Sequence, residues 1–201
     1  MSKDFWNTRY RADEFIYGTE PNVYFREKLD RLPPGKILLP GEGEGRNAVY
    51  AARKGWIVDC FDISKVARDK ALELAKEYGV SINYEVSDVH DFNWTSELYD
   101  AVGLTFVHNT PEIRELMHYR AATSLKSGGA MILEAFHKDQ LNYDSGGPRS
   151  DEMLYDLDEL KRDFKNLEVE EIERREVDLD EGRFHKGEAV VVRLFARKQG
   201  K

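Results

Sequence analysis

Apolar residues along this chain come in short blocks separated by longer amphipathic stretches, and that alternation sets the expected architecture. Lys36-Ile37-Leu38-Leu39 reads as a short buried strand. A helix should precede it over about residues 21–32, because Pro21 suits a first helical position and Pro33-Pro34-Gly35 must end it. Residues 56–62 form a second strand pattern, 82–86 a third, 100–107 a fourth, and 130–136 a fifth that is almost wholly apolar. Helices fall between them. One is expected over about residues 46–54. A second is capped by Ser64, carries Ala67, Ala71, Leu74, Ala75 and Tyr78 on one face, and stops at Gly79. A third runs over about 111–125, before the turn Ser127-Gly128-Gly129. Strands that alternate with helices require right-handed crossovers, hence a parallel sheet covered on both faces.

The tail breaks this rhythm. Asp156 and Glu159 have the spacing of a helix-capping pair, which predicts a helix to about Phe164. Residues 167–177 and 188–197 are strand-like, and 178–187 is too short for a crossover helix, so the two should pair as an antiparallel hairpin. Residues 1–20 are rich in aromatics and charges without clean periodicity, and the chain shows neither internal repeats nor low-complexity segments.

Composition narrows the class. A chain of 201 residues with 41% hydrophobic and 11% aromatic residues supports one globular domain. A net charge of -8 disfavours nucleic acid, whose binders present a basic face. The single cysteine, Cys60, cannot form an internal disulfide and reads as a strand core residue. The start Met1-Ser2-Lys3-Asp4-Phe5-Trp6 lacks the apolar core of a signal peptide, and no apolar run approaches the ~20 residues that cross a bilayer. The expectation is a cytoplasmic protein with no membrane partner and no metal site, since no His/Cys/Asp cluster has ligand spacing.

The candidate chemistry begins at Gly41-Glu42-Gly43-Glu44-Gly45, between the first strand and the following helix. Such a turn lets a ligand approach the backbone while the helix start offers free N–H groups. Asp62 ends the second strand roughly 20 residues further on, where a carboxylate accepts from both ribose hydroxyls. The competing reading is a set of tight turns with no ligand. The dinucleotide fingerprint calls for a third glycine where this chain has Arg46, and Glu42 and Glu44 would repel a pyrophosphate at short range. S-adenosylmethionine carries a sulfonium and an ammonium group instead, so an acidic turn suits it. No Gly-Lys-Ser/Thr ending marks a triphosphate loop. Asp88, with Val89 at the end of the third strand, is placed to accept from the adenine amine, and Thr105-Phe106 should border the methionine portion.

Together these residues resemble a class I S-adenosylmethionine-dependent methyltransferase. More narrowly, they resemble the small bacterial branch of tellurite-resistance and thiopurine S-methyltransferase-like proteins. The likeness is carried by Trp6, Arg9-Tyr10, Tyr17-Gly18, Pro21-Asn22, residues 41–47 including Asn47, Asp62, Asp88, Tyr99-Asp100 and residues 125–129. It implies a Rossmann-like three-layer α/β sandwich whose seven-stranded, mostly parallel sheet has an antiparallel last strand. It also implies a single domain, with residues 1–35 as a helical lid segment and 36–201 as the methyltransferase body. Cofactor contacts would come from Trp6, Tyr10, Tyr17, Gly41, Glu42, Gly43, Asn47, Asp62, Ile63, Asp88, Val89, Thr105 and Phe106. Two departures stand out. Leu39-Pro40 replaces the acid the family carries two positions before the first glycine, a role Glu42 is placed to fill. The tail from Glu181 to Gly187 does not match the tellurite enzymes, so the resemblance does not extend to tellurite as acceptor.

On the acceptor side, a thiol, metalloid or similar soft nucleophile needs no general base, whereas a hydroxyl or neutral amine does. Acceptors enter at the C-terminal strand ends, where His108, His137 and the loop from Asp139 to Arg149 are expected, with His185 in the last hairpin. Each histidine reads more readily as a structural or exposed loop residue, and Arg149 more readily as a surface residue than as an anion partner. The chain is expected to work as a monomer or homodimer on a small-molecule acceptor. The rivals are a nicotinamide-dependent oxidoreductase and a non-catalytic S-adenosylmethionine-binding module on the same fold.

Overall fold

A computed structural model describes residues 2–200. The strands are β1 (Lys36–Pro40), β2 (Ile57–Asp62), β3 (Asn83–Val86), β4 (Tyr99–Thr105), β5 (Leu125–Phe136), β6 (Leu167–Asp180) and β7 (Lys186–Lys198). The helices are α1 (Lys3–Arg9), α2 (Val23–Leu29), α3 (Arg46–Arg53), α4 (Lys65–Glu77), α5 (Pro111–Ser124) and α6 (Leu157–Asp163). The seven strands form one sheet in the order β3-β2-β1-β4-β5-β7-β6. β1 to β5 pair in parallel, and β7 runs antiparallel to both β5 and β6. This is a Rossmann-like three-layer α/β fold, with the seven-stranded, mostly parallel sheet and antiparallel last strand that the sequence implied.

Alternation along the strands divides the core into two layers. Ile37 and Leu39 of β1 face a cluster with Tyr24, Phe25, Ala48, Val49, Ala71 and Leu74 from α2, α3 and α4. Leu38, between them, faces the opposite cluster with Met117, Ala121, Leu160 and Phe164 around α5 and α6. The parallel strands are apolar on both faces because both faces are covered. The Ser64 side chain accepts from Ala67 N–H at the start of α4, and both halves of the Asp156–Glu159 capping box are present.

Several expectations shift. Tyr78 leaves the buried face of α4: it caps the helix end, stays exposed, and lies under the Arg53 guanidinium. β5 starts at Leu125 rather than Ala130, because Leu125 already pairs with Tyr99 ahead of an irregularity. The final hairpin is longer than its apolar pattern suggests, with Asp178 and Asp180 still paired, so only residues 181–185 remain as the loop. β6 is the sheet edge, where acidic side chains are solvated without breaking the ladder. Among the described residues no helix is long and apolar enough to cross a membrane.

Gly45 shows how tightly the glycine turn is built. It precedes α3 at φ +89°, and a Cβ there would lie 2.6 Å from Ala71 Cβ and 2.9 Å from Ala71 Cα on α4. Gly45→Ala is therefore expected to cost about 2–4 kcal/mol, combining left-handed strain with overpacking. Urea unfolding should show a lower midpoint at unchanged slope.

Candidate functional site

The strand order reverses between β1 and β4, and a cleft of about 1110 Å³ opens at the C-terminal ends of the strands there. Its floor is the turn after β1. Gly41 and Gly43 take φ +64° and +61°, which glycine adopts without strain. A Cβ on Gly41 would come within 3.0 Å of two Val107 methyls, and one on Gly43 within 2.9 Å of the Tyr10 hydroxyl. The turn is held by Glu42 N–H donating to Phe61 O (3.2 Å) and by Tyr84 OH donating to Gly43 O (2.7 Å).

Asp62 locks turn to strand. Its two carboxylate oxygens accept from Gly43 N–H (3.1 Å) and Ser64 N–H (2.9 Å), and burial pushes its carboxyl up to about 6. A carboxylate offers about four acceptor sites, so capacity remains toward the cleft that Asp62 lines. Glu42 lines the same wall; one oxygen accepts from Ala48 N–H (2.7 Å) at the start of α3, and burial pushes its carboxyl up to about 8. Asp88 also lines the cleft, with Oδ1 accepting from His90 N–H (2.8 Å) and Asp91 N–H (3.0 Å); Ile63 and Val89 line it nearby.

The second acid of the turn does something else. Glu44, which also lines the cleft, takes Ile16 N–H (2.8 Å) and pairs with Lys70 Nζ (2.5 Å), which offsets its charge and ties the N-terminal segment to α4. Lys70 offsets the charge of Glu44, so repulsion of a ligand phosphate falls mainly to Asp62, with Glu42 a protonated carboxyl near neutral pH. Arg46 donates to Tyr17 O (3.2 Å) and pairs with Glu181 (2.8 Å), and Asn47 Oδ1 accepts from Asn22 N–H (2.9 Å). Both line the cleft while fastening the segment before β1.

That segment forms the cleft's outer wall. Trp6 stacks on Tyr10 at 5.4 Å, Tyr10 meets Tyr17 edge-on, and all three line the cleft. Asn7 Oδ1 accepts from Ser64 Oγ (2.8 Å), anchoring α1 to α4.

The opposite end is aromatic. Thr105 ends β4, and Phe106 follows in the left-handed region at φ +53°, an unusual conformation for a non-glycine residue. The Phe106 ring lies 4.6 Å from Phe136 and 4.4 Å from His185. Of the candidate histidines, His108 lines the cleft with both nitrogens committed: Nδ1 to Met153 O (2.9 Å) and Nε2 from Phe136 N–H (3.3 Å). Burial lowers it to about 4, so it is neutral. His137 is corrected: it is not among the cleft-lining residues, and Nδ1 accepts from Asp139 N–H (3.0 Å). His185 is buried among Tyr17, Phe106 and Phe136, and its Nδ1 has no hydrogen-bond partner. Burial, with Arg46, His108 and Arg9 nearby, holds it well below the usual histidine range. Arg149 lines the rim, folded back onto Leu141 O, Tyr143 O and Asp144.

Sequence reasoning missed the polar network behind this wall. Asn22 Nδ2 donates to Glu134 (2.7 Å) and Glu181 (2.9 Å), and Arg193 meets Glu134 at 2.5 Å. Glu134 stood out as the one charge inside the apolar run of β5, which was the available signal.

Residues 37–129 match the model of a family described as a methyltransferase domain. No curated protein matches the chain. Among solved structures it is similar to TehB from Haemophilus influenzae, at 20% identity over 98% of this chain and 67% of that one, TM-score 0.73. It is similar to a structure described under the conversion of a disulfide bond into a thioacetal group during echinomycin biosynthesis, at 16% identity over 98% and 92%, TM-score 0.76. It is also similar to Burkholderia thailandensis 1,6-didemethyltoxoflavin-N1-methyltransferase with bound 1,6-didemethyltoxoflavin and S-adenosylhomocysteine, at 17% identity over 89% and 79%, TM-score 0.65.

Proposed function

We propose that this chain is an S-adenosylmethionine-dependent methyltransferase acting on a small acceptor with a soft nucleophile, such as a thiol or metalloid. One observation carries the reading: two enclosed carboxyls, Glu42 and Asp62, line the cleft at the glycine turn, and the cations beside that turn, Arg46 and Lys70, are occupied by Glu181 and Glu44. A pyrophosphate there meets ionised Asp62 beside occupied cations, whereas a nucleoside carrying positive charge meets Asp62 and a Glu42 carboxyl that it favours in the ionised form.

The groups present fit that donor. Asp62 has acceptor capacity left for ribose hydroxyls, Glu42 suits an ammonium group, and Asp88 stands where an adenine amine would donate. The donor, when bound, supplies a methyl group already activated on a sulfonium. The chain has then to align the acceptor and exclude water. We assign residues 1–35 the role of lid, with Trp6, Tyr10 and Tyr17 over the ligand. His108, neutral and fully committed, offers no base for a hydroxyl or amine, which favours an acceptor that ionises on its own.

Calorimetric titration is the test. S-adenosylmethionine and S-adenosylhomocysteine are each expected to bind one to one, and S-adenosylhomocysteine to be formed from the first on turnover with a thiol. Absence of binding by both removes the proposal. Binding with no transfer to any thiol, phenol, amine or metalloid turns the reading into a non-catalytic module. Binding of NADH in their place restores the oxidoreductase.

A further inference from the structure

The cleft is electrically divided. Its acids, Glu42, Asp62 and Asp88, sit at the ends of β1, β2 and β3. Besides Lys3 and Arg46, the lining cations are Arg9, Arg149, Arg183 and Lys186, in a chain of net charge -8, with Asp144 the acid on their side. Two of these are neutralised locally: Arg149 by Asp144, and Arg183 by Glu14 (3.2 Å). Arg9 is different. Its guanidinium lies 4.3 Å from the Phe184 ring centre and 5.0 Å from that of Phe5, and it donates to the Tyr17 hydroxyl (3.4 Å). Among the described residues no carboxylate pairs with Arg9 or with Lys186. Beside Arg9, the buried His185 Nδ1 is unpartnered, and the nearest carboxylate, Glu181 at 4.0 Å, is already held by Arg46 and Asn22. A buried polar nitrogen without a partner is costly unless a ligand completes it, and the two cations beside it, solvated and without a carboxylate, are free to meet that ligand's charge.

We propose that the acceptor is itself an anion: a small organic anion bearing a soft nucleophile, its charge met by Arg9 and Lys186 and by a hydrogen bond from His185 Nδ1. Its body packs against Phe106 and Phe136. This rests on the methyl-transfer reading above and specifies its second substrate. The acceptor's lone pair forms the new bond to the methyl carbon. A thiol acceptor reacts as its thiolate, its proton already given to solvent, and the pair of the broken carbon–sulfur bond stays on the departing thioether. A negative acceptor approaching a positive donor loses charge as it reacts, so an enclosed, water-poor cleft favours the step.

The test is a charge series on one nucleophile: 3-mercaptopropionate, 3-mercaptopropan-1-ol and 3-mercaptopropylamine, titrated calorimetrically into protein loaded with S-adenosylhomocysteine. The propionate should bind best, roughly tenfold tighter than the amine at low salt. The gap should narrow as salt is added. The double variant Arg9→Gln with Lys186→Gln should bind all three alike, while Arg9→Lys with Lys186→Arg should keep the order. Equal affinities in the native protein, persistence of the order in the Gln double variant, or failure of all three thiols to bind overturns the proposal. Failure of S-adenosylhomocysteine to bind counts against the donor assignment alone. The series is then read on the unloaded protein by the same criteria.

Discussion

Replacing Asp62 by alanine is expected to weaken S-adenosylhomocysteine binding by about 1–3 kcal/mol, a factor of roughly 5 to 150. Two losses combine. The ligand loses an acceptor for its ribose hydroxyls, and Gly43 N–H and Ser64 N–H lose the oxygens that hold the turn against β2. Asparagine is not a benign substitute, because both Asp62 oxygens accept backbone N–H groups and an amide would turn its own NH₂ toward one of them. Asp62→Asn should therefore lose affinity as well. Affinity unchanged in both variants, measured by calorimetry, would place the ribose elsewhere.

The second large effect is a pH dependence set by Glu42. Its carboxyl is raised from 4.5 to about 8 in the ligand-free protein. A group raised on folding stabilises the folded state fully below its unfolded value, and that contribution is lost as pH rises through the folded value. Asp62, raised to about 6, acts the same way over a lower range. His108, lowered from 6.5 to about 4, works in the opposite sense, its contribution fading as pH falls below 6.5, as do His118 and His185. The clean window is thus above 6.5. There, between about 6.5 and 8, the ligand-free protein should lose thermal stability as pH rises, and Glu42→Gln should flatten the trend. A positively charged donor favours ionised Glu42, so its binding should tighten across this window, by at most roughly tenfold per pH unit, with proton release. Titrations in buffers of different ionisation enthalpy read that release. Stability rising over the window, or binding without release, contradicts the assignment.

What was legible in the sequence was what local rules control. The glycine turn lies between a strand and a helix, so its place at the cleft floor followed from topology, and Asp62 followed from the end of the next strand. Side-chain direction was not legible wherever a distant partner decides it. Glu44 is held by Ile16 and Lys70, Arg46 by Glu181, and Asn47 by Asn22, all distant in sequence; nothing in the local pattern separates these from Glu42, whose oxygen meets only the neighbouring start of α3. His137 stands one residue past its strand, where a ligand contact was expected, yet the next short helical turn claims its ring nitrogen. His185 was visible only as a hairpin residue. Its enclosure depends on Tyr17, Phe106 and Phe136 arriving from three separate segments.

The claim beneath all of this is that the turn after β1 receives a cationic nucleoside and not a phosphorylated one. A crystal structure of the protein grown with S-adenosylhomocysteine tests it most directly. The ribose hydroxyls should rest on Asp62, with the amino end beside Glu42. Adenosine bound away from Asp62, or a parallel soak with NADH that seats its pyrophosphate against Gly41 and Gly43, would contradict it.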